Sequence, residues 1–110
     1  MNFEGHWRIV SSPDFDDDYL HEEVEPFITL WQKANDITGE YHVGYQSGTI
    51  DAKAQSATQA TLSFEGQDEM DRVSGRGTFT LAEDKLTLIL ECHMGDTFTF
   101  EAVRGKEEPA

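Results

Sequence analysis

The side chains of this sequence that could do chemistry are four histidines, one cysteine and several groups of carboxylates. His6, His21, His42 and His93 are scattered along the chain. A metal centre needs ligands converging on one point, and nothing in this spacing gathers them, so no metal is expected. Cys92 and His93 are adjacent. Neighbouring strand residues point to opposite faces, so this thiol and imidazole do not form a nucleophilic pair, and Cys92 is read as a small core residue. Asp14, Asp16, Asp18 and Glu25 occupy positions 1, 3, 5 and 12 of a calcium-loop template, but position 6, which requires glycine, holds Tyr19. Pro26 follows where an exiting helix should run. Helix capping and a solvated acidic loop account for these acids better.

A second carboxylate group, Glu65, Asp68, Glu69 and Asp71, falls around a loop expected from Gly66 to Ser74, with Arg72 and Arg76 close by. Two carboxylates can share acid–base work when their surroundings push their pKa values apart. A polar loop desolvates them little, so local ion pairing is the alternative reading. The sequence has no phosphate-cradling glycine loop, no nucleophile elbow and no metalloprotease helix. No cofactor is expected.

The elements that must position these residues are strands. Most of the chain alternates with period two, the pattern of half-buried strands. Phe3, Gly5, Trp7 and Ile9 share one face of the first strand, which Pro13 ends. Asp14 or Asp16 caps a short helix through Tyr19 to Glu23. The second strand, Phe27 to Lys33, is apolar on both faces and cannot be oriented. Ile37, Tyr41, Val43 and Tyr45 point inward from the third, with Gln46 on its outer face. Turns are expected at Asn35-Asp36, Ser47-Gly48, Glu83-Asp84 and Gly95-Asp96. Short strands around Ile50 and Phe64 precede three more: Gly77 to Leu81, Leu86 to Cys92, and Phe98 to Arg104.

Strands at roughly ten-residue spacing with short turns predict an antiparallel meander. Closing it into a small all-β barrel of about eight strands buries one face of each strand and removes both edges. The inward aromatics Trp7, Tyr41, Tyr45, Phe64, Phe79, Phe98 and Phe100 either line a ligand pocket or fill the core. Short strands and bulky side chains favour filling, whereas the hydroxyls of Tyr41 and Tyr45 hint at a polar-lined cavity.

Composition narrows the class. The chain has 110 residues, 37% hydrophobic and 27% charged, with one cysteine and a net charge of −14. This is the size of one domain, expected over residues 1–105, with a frayed tail at 106–110. One cysteine permits no internal disulfide, which suits a reducing compartment. With no signal-peptide pattern and no long apolar run, a cytoplasmic location is expected. The acidic surface repels nucleic acid and anionic membranes and favours basic partners.

Trp7 and Arg104 share the inward faces of the first and last strands, which are neighbours in a closed meander. The guanidinium can then lie on the indole, a contact worth about 0.5–2 kcal/mol that plugs one barrel end. Gly5-His6-Trp7 with a terminal Arg resembles the Gly-x-Trp and Arg of lipocalins and their calycin relatives. Several longer segments are similar to a family of small bacterial proteins without an established activity. They are Phe3 to Ile9, Asp16 to Tyr19, Pro26 to Ile28, Gly48 to Asp51, Phe64 to Asp71, Gly75 to Gly77 and His93 to Asp96. The resemblance implies a calycin-like fold and a bacterial, intracellular origin, and supplies no mechanism.

Three functions compete on this reading. The first is non-enzymatic binding of a small, partly apolar ligand among Tyr41, Tyr45, Phe64, Phe79, Phe98 and Phe100. The second is an acidic interaction module, a homodimer or an inhibitor of a basic partner, using the two-sided strand Phe27 to Trp31. The third is an enzyme using the carboxylates of the Glu65 to Asp71 loop.

Overall fold

The computed structural model describes residues 2–105, so the tail expected to fray lies outside the described residues. Eight strands follow one another in an antiparallel meander: β1 (Gly5–Ser11), β2 (Phe27–Lys33), β3 (Asp36–Val43), β4 (Gln46–Ala54), β5 (Gln59–Asp68), β6 (Asp71–Ala82), β7 (Lys85–Cys92) and β8 (Thr97–Arg104). Each pairs with the next, and β1 pairs with β8, so the barrel is closed. The one helix among the described residues, α1 (Asp17–Leu20), lies between β1 and β2. No helix of the described residues is long and apolar enough to cross a membrane.

Alternation produces the core. Ile28 and Leu30 of β2, Leu86, Leu88 and Leu90 of β7, and Phe100 and Ala102 of β8 are all buried on the inner face. The strand that the sequence leaves unoriented is thereby settled: Phe27 is half-buried and Trp31 exposed on the outer face. Among the largest side chains, Trp7, Phe3, Tyr41, Phe79 and Phe100 are each less than 2% exposed.

One end is plugged as the parity of Trp7 and Arg104 requires. The two residues are register partners across the β1–β8 seam, and Arg104 Cζ stands 4.2 Å from the Trp7 ring centroid. Arg104 Nη1 and Nη2 donate to the carbonyls of Glu4 and Asn2, each at 2.8 Å. Trp7 Nε1 donates to the carbonyl of Phe3 (2.9 Å). The only polar atom of the indole is thus satisfied at no cost to its packing.

Several turns sit elsewhere than glycine and asparagine suggest. They fall at Ala34-Asn35, Gly44-Tyr45, Glu69-Met70 and His93-Met94, while Glu83-Asp84 is as expected. Ala34, Gly44, Glu69, Glu83 and Met94 take the left-handed backbone that tight hairpins need. The glycines read as turns, Gly48 and Gly66, are instead paired with each other inside β4 and β5. The helix is also shorter than expected. Asp16 caps it by accepting from Tyr19 N (2.9 Å), and it ends at Leu20.

Candidate functional site

The barrel end opposite Trp7 carries the polar groups of the interior. The β3–β4, β5–β6 and β7–β8 turns meet there, together with the insert between β1 and β2. That insert is a short aromatic cover. Phe15 stacks on Tyr19 at 4.5 Å and packs against Phe98 and Phe100 at 5.0 and 5.9 Å between ring centroids. Leu20 is fully buried, and its carbonyl accepts from Gly44 N (3.2 Å). At the entry of the insert, Asp14 Oδ2 accepts from Thr99 N (2.8 Å) and Ser12 Oγ donates to the Thr99 carbonyl (2.6 Å), tying it to β8. Few strand-like ladder bonds hold this segment, so it is the part of the barrel most able to open.

Beneath the cover lies a buried polar pair. Gln46 Nε2 donates to Tyr41 Oη at 2.7 Å, and both residues are buried. The Tyr41 ring meets Phe64 edge-on at 6.3 Å. Burial pushes the Tyr41 phenol up to about 12, with Cys92 and Asp68 adding to the rise and the Gln46 hydrogen bond opposing it. The Cys92 thiol is raised too, first by burial and then by the carboxylates of Asp96 and Asp68, so it is a poor nucleophile. Tyr19 is raised mainly by burial, against a hydrogen bond from the Tyr45 backbone, with Asp68 and Glu69 adding to the rise.

The Tyr41 shift has a direct consequence. The unfolded phenol ionises near pH 10, whereas in the fold it holds its proton to about 12. Its stabilisation is therefore complete below pH 10 and is lost as pH rises toward 12, about 2–3 kcal/mol in all. Urea unfolding of wild type and Tyr41→Phe between pH 9 and pH 12 should show this fall in the wild type, reduced in the variant by Tyr41's share. Equal slopes would refute the assignment.

The six aromatics expected to line a pocket do not share one cavity. Tyr41 and Phe64 meet inside, and Phe98 and Phe100 lie under Phe15. Phe79 packs against Phe3 on the plugged side instead (6.2 Å). Tyr45 is a correction: it stands half-buried in the β3–β4 turn, with its ring against Tyr19. Because the turn comes three residues earlier than expected, an odd shift, the parity of the next residues flips and Gln46 points inward. Gly44-Tyr45 was the available signal, since Gly44 adopts φ +59 directly against the Tyr19 ring. Phe15 and Tyr19 were missed as site residues because they sit in an irregular segment without periodicity.

The acidic loop is a second correction. Residues 66–74 are strand apart from Glu69-Met70. Glu65 projects outward, Asp68 is half-buried on the inner face, Glu69 occupies the turn, and Asp71 is exposed opposite Asp68. Asp68 and Asp71 are cross-strand partners on one face, but Glu65 lies on the other face and Glu69 in the turn, so the four do not converge. The outer groove beside Glu65, about 490 Å³, is lined by Thr49, Asp51, Ser63, Ser74 and His93 and opens broadly to solvent. His6 is hydrogen-bonded to Thr29 Oγ1 (3.0 Å) and His42 to Glu23 (2.9 Å) on the other side of the barrel.

No protein-family model and no curated protein matches the chain. Among solved structures, human cRBP IV superposes on it with a TM-score of 0.57 at 15% identity, over 96% of this chain and 99% of the other. At that identity the likeness is one of fold. The chain forms a closed, eight-stranded antiparallel barrel of the calycin or lipocalin-like kind, with one short helix after its first strand.

Proposed function

We propose that the barrel binds, without catalysing a reaction, a small, partly apolar molecule that carries a neutral hydrogen-bond acceptor and enters at the helix-bearing end. The observation that carries this is the buried Tyr41 hydroxyl. Its oxygen accepts from Gln46, and among the described residues no acceptor takes its own proton. A free donor beside Phe64 and Cys92, at the end that carries an aromatic cover, is the combination of apolar walls and one orienting polar group that small-molecule sites use. The comparison supports the same class, human cRBP IV being by name a cellular retinol-binding protein. Asp68 and the net charge of −14 argue against an anionic ligand. The single cysteine suits a reducing cytoplasm, and the resemblance to small bacterial proteins favours a bacterial source.

A ligand entering at this end would displace the Phe15 ring, which packs against Phe98 and Phe100. Each aromatic pair lost costs about 0.5–1.5 kcal/mol beyond its buried area. Removing Phe15 therefore favours binding. Nile red, which is neutral and carries a carbonyl acceptor, should bind the wild type saturably with a blue-shifted emission. Phe15→Ala should tighten it several-fold, and Tyr41→Phe should weaken it by about two- to tenfold through the lost hydrogen bond. Absence of saturable binding in both wild type and Phe15→Ala would remove this reading.

A further inference from the structure

We propose, independently of the ligand site, that the outer face of β1–β3 around Trp31 is a docking surface for a basic segment of another protein. Trp31 sits near the middle of β2's outer face and is 51% exposed. Nothing among the described residues covers it. The face continues along β2 through Thr29 to Phe27, where the His6 ring stacks at 5.6 Å and His42 packs at 6.5 Å from the other side. An exposed tryptophan at the end of such an aromatic strip is the residue type that anchors interfaces.

Charge selects the occupant. Trp31 is opposite Thr38 in the β2–β3 register, with Asp36 and Glu40 two residues to either side on the same face. Such diagonal neighbours lie about 7–8 Å apart, within reach of a long side chain. The Glu4 carboxylate accepts from Gln32 N (2.9 Å), placing a third acid beside the indole. Asp36 is held by Lys53, but Glu40 makes no ion pair among the described residues. An arginine or lysine laid on the Trp31 face, within about 6 Å of its centroid, gains a cation–π contact and reaches these carboxylates. Arg8, on the outer face of β1, is engaged by Glu25 and Lys53 by Asp36, so among the described residues Lys33 alone faces Glu4 and Glu40, which leaves the acids in excess. A second copy of the chain is a poor occupant, because each molecule brings a net charge of −14 to the contact.

Fluorescence anisotropy of labelled octa-arginine with the full chain at ~0.15 M salt tests this. The wild type should bind, Trp31→Ala should bind about tenfold more weakly, and Trp31→Phe should fall between them. Glu40→Gln should weaken binding about threefold, while Asp84→Asn, which removes the same charge from the β6–β7 turn, should leave it unchanged. Because Trp31 is exposed, these variants should fold, and the Trp7 emission of Trp31→Phe reports that directly. The proposal fails if Trp31→Ala binds like the wild type, or if Asp84→Asn loses as much as Glu40→Gln, since overall charge then explains the binding. It fails equally if sedimentation shows a dimer that Trp31→Ala dissociates, which would assign the face to a second copy.

Discussion

Trp7→Ala will lower the unfolding free energy by about 3–5 kcal/mol, the range for deleting a fully buried large aromatic. Trp7 has no solvent exposure and serves three contacts at once. It fills the plugged end, donates to the Phe3 carbonyl, and supports the Arg104 guanidinium. Small domains hold about 5–15 kcal/mol of stability, so the variant should be close to unfolding at 37 °C. Arg104→Ala should cost less, since the guanidinium is partly exposed, but it frees the carbonyls of Glu4 and Asn2. The two losses should not add. In a double-mutant cycle their coupling should be about 0.5–2 kcal/mol, the worth of the cation–π contact. Urea unfolding at constant m-value measures all three. A loss below about 1 kcal/mol for Trp7→Ala would mean that the β1–β8 seam is closed by its ladder alone.

The contrast between that seam and the opposite end explains what was legible in the sequence. Trp7 and Arg104 could be placed because both lie on regular strands, where parity fixes the face and only one closure of a meander brings first and last strands together. Leu86, Leu88, Phe79 and Phe100 were readable in the same way. Phe98 was placed correctly as to face, but it lies at the strand's end and is only half-buried. Parity fails when a turn is misplaced, because a shift of one residue inverts every later side chain. That is what happened at Tyr45 and Gln46, where Ser47-Gly48 looked like the turn and Gly44-Tyr45 is the turn. The loop expected from Gly66 to Ser74 fails for a related reason: Gly66 looks like turn punctuation but lies inside β5, paired with Gly48. The insert containing Phe15 and Tyr19 has no period at all, so its position over the barrel end follows only from tertiary packing. The site is therefore less legible than the fold. Its orienting hydroxyl could be named, but its partner and its cover could not.

The misread glycines yield the last expectation. Gly66→Ala should destabilise the barrel by about 1–3 kcal/mol or more, the range for overpacking a closely fitted site, even though alanine has the better intrinsic preference in a strand. Gly66 and Gly48 face each other across β4 and β5, on the inner face next to Tyr41, which pairs with Gly48 from β3. A Cβ on Gly66 would collide with the Ser47 carbonyl oxygen and stand 2.6 Å from Gly48 Cα. These are backbone atoms, so no side-chain rotation relieves the contact, and the strands must separate. Glycine inside a strand marks such a close approach of two backbones. Gly95→Ala is the control. Gly95 lies in the exposed β7–β8 connection, where a Cβ meets the Cys92 Cβ at 3.3 Å and next the His93 carbonyl oxygen at 3.8 Å. A shift of a few tenths of an ångström relieves this contact, so stability should fall by less than about 1 kcal/mol. Because Gly48 is the register partner of Tyr41, Gly66→Ala should also loosen the packing around Tyr41, and the burial lost should shift its alkaline transition toward pH 10, visible in the tyrosinate absorbance. If Gly66→Ala matched the wild type in both stability and alkaline titration, the close approach of β4 and β5 would not depend on glycine, and the burial of Tyr41 would need another cause.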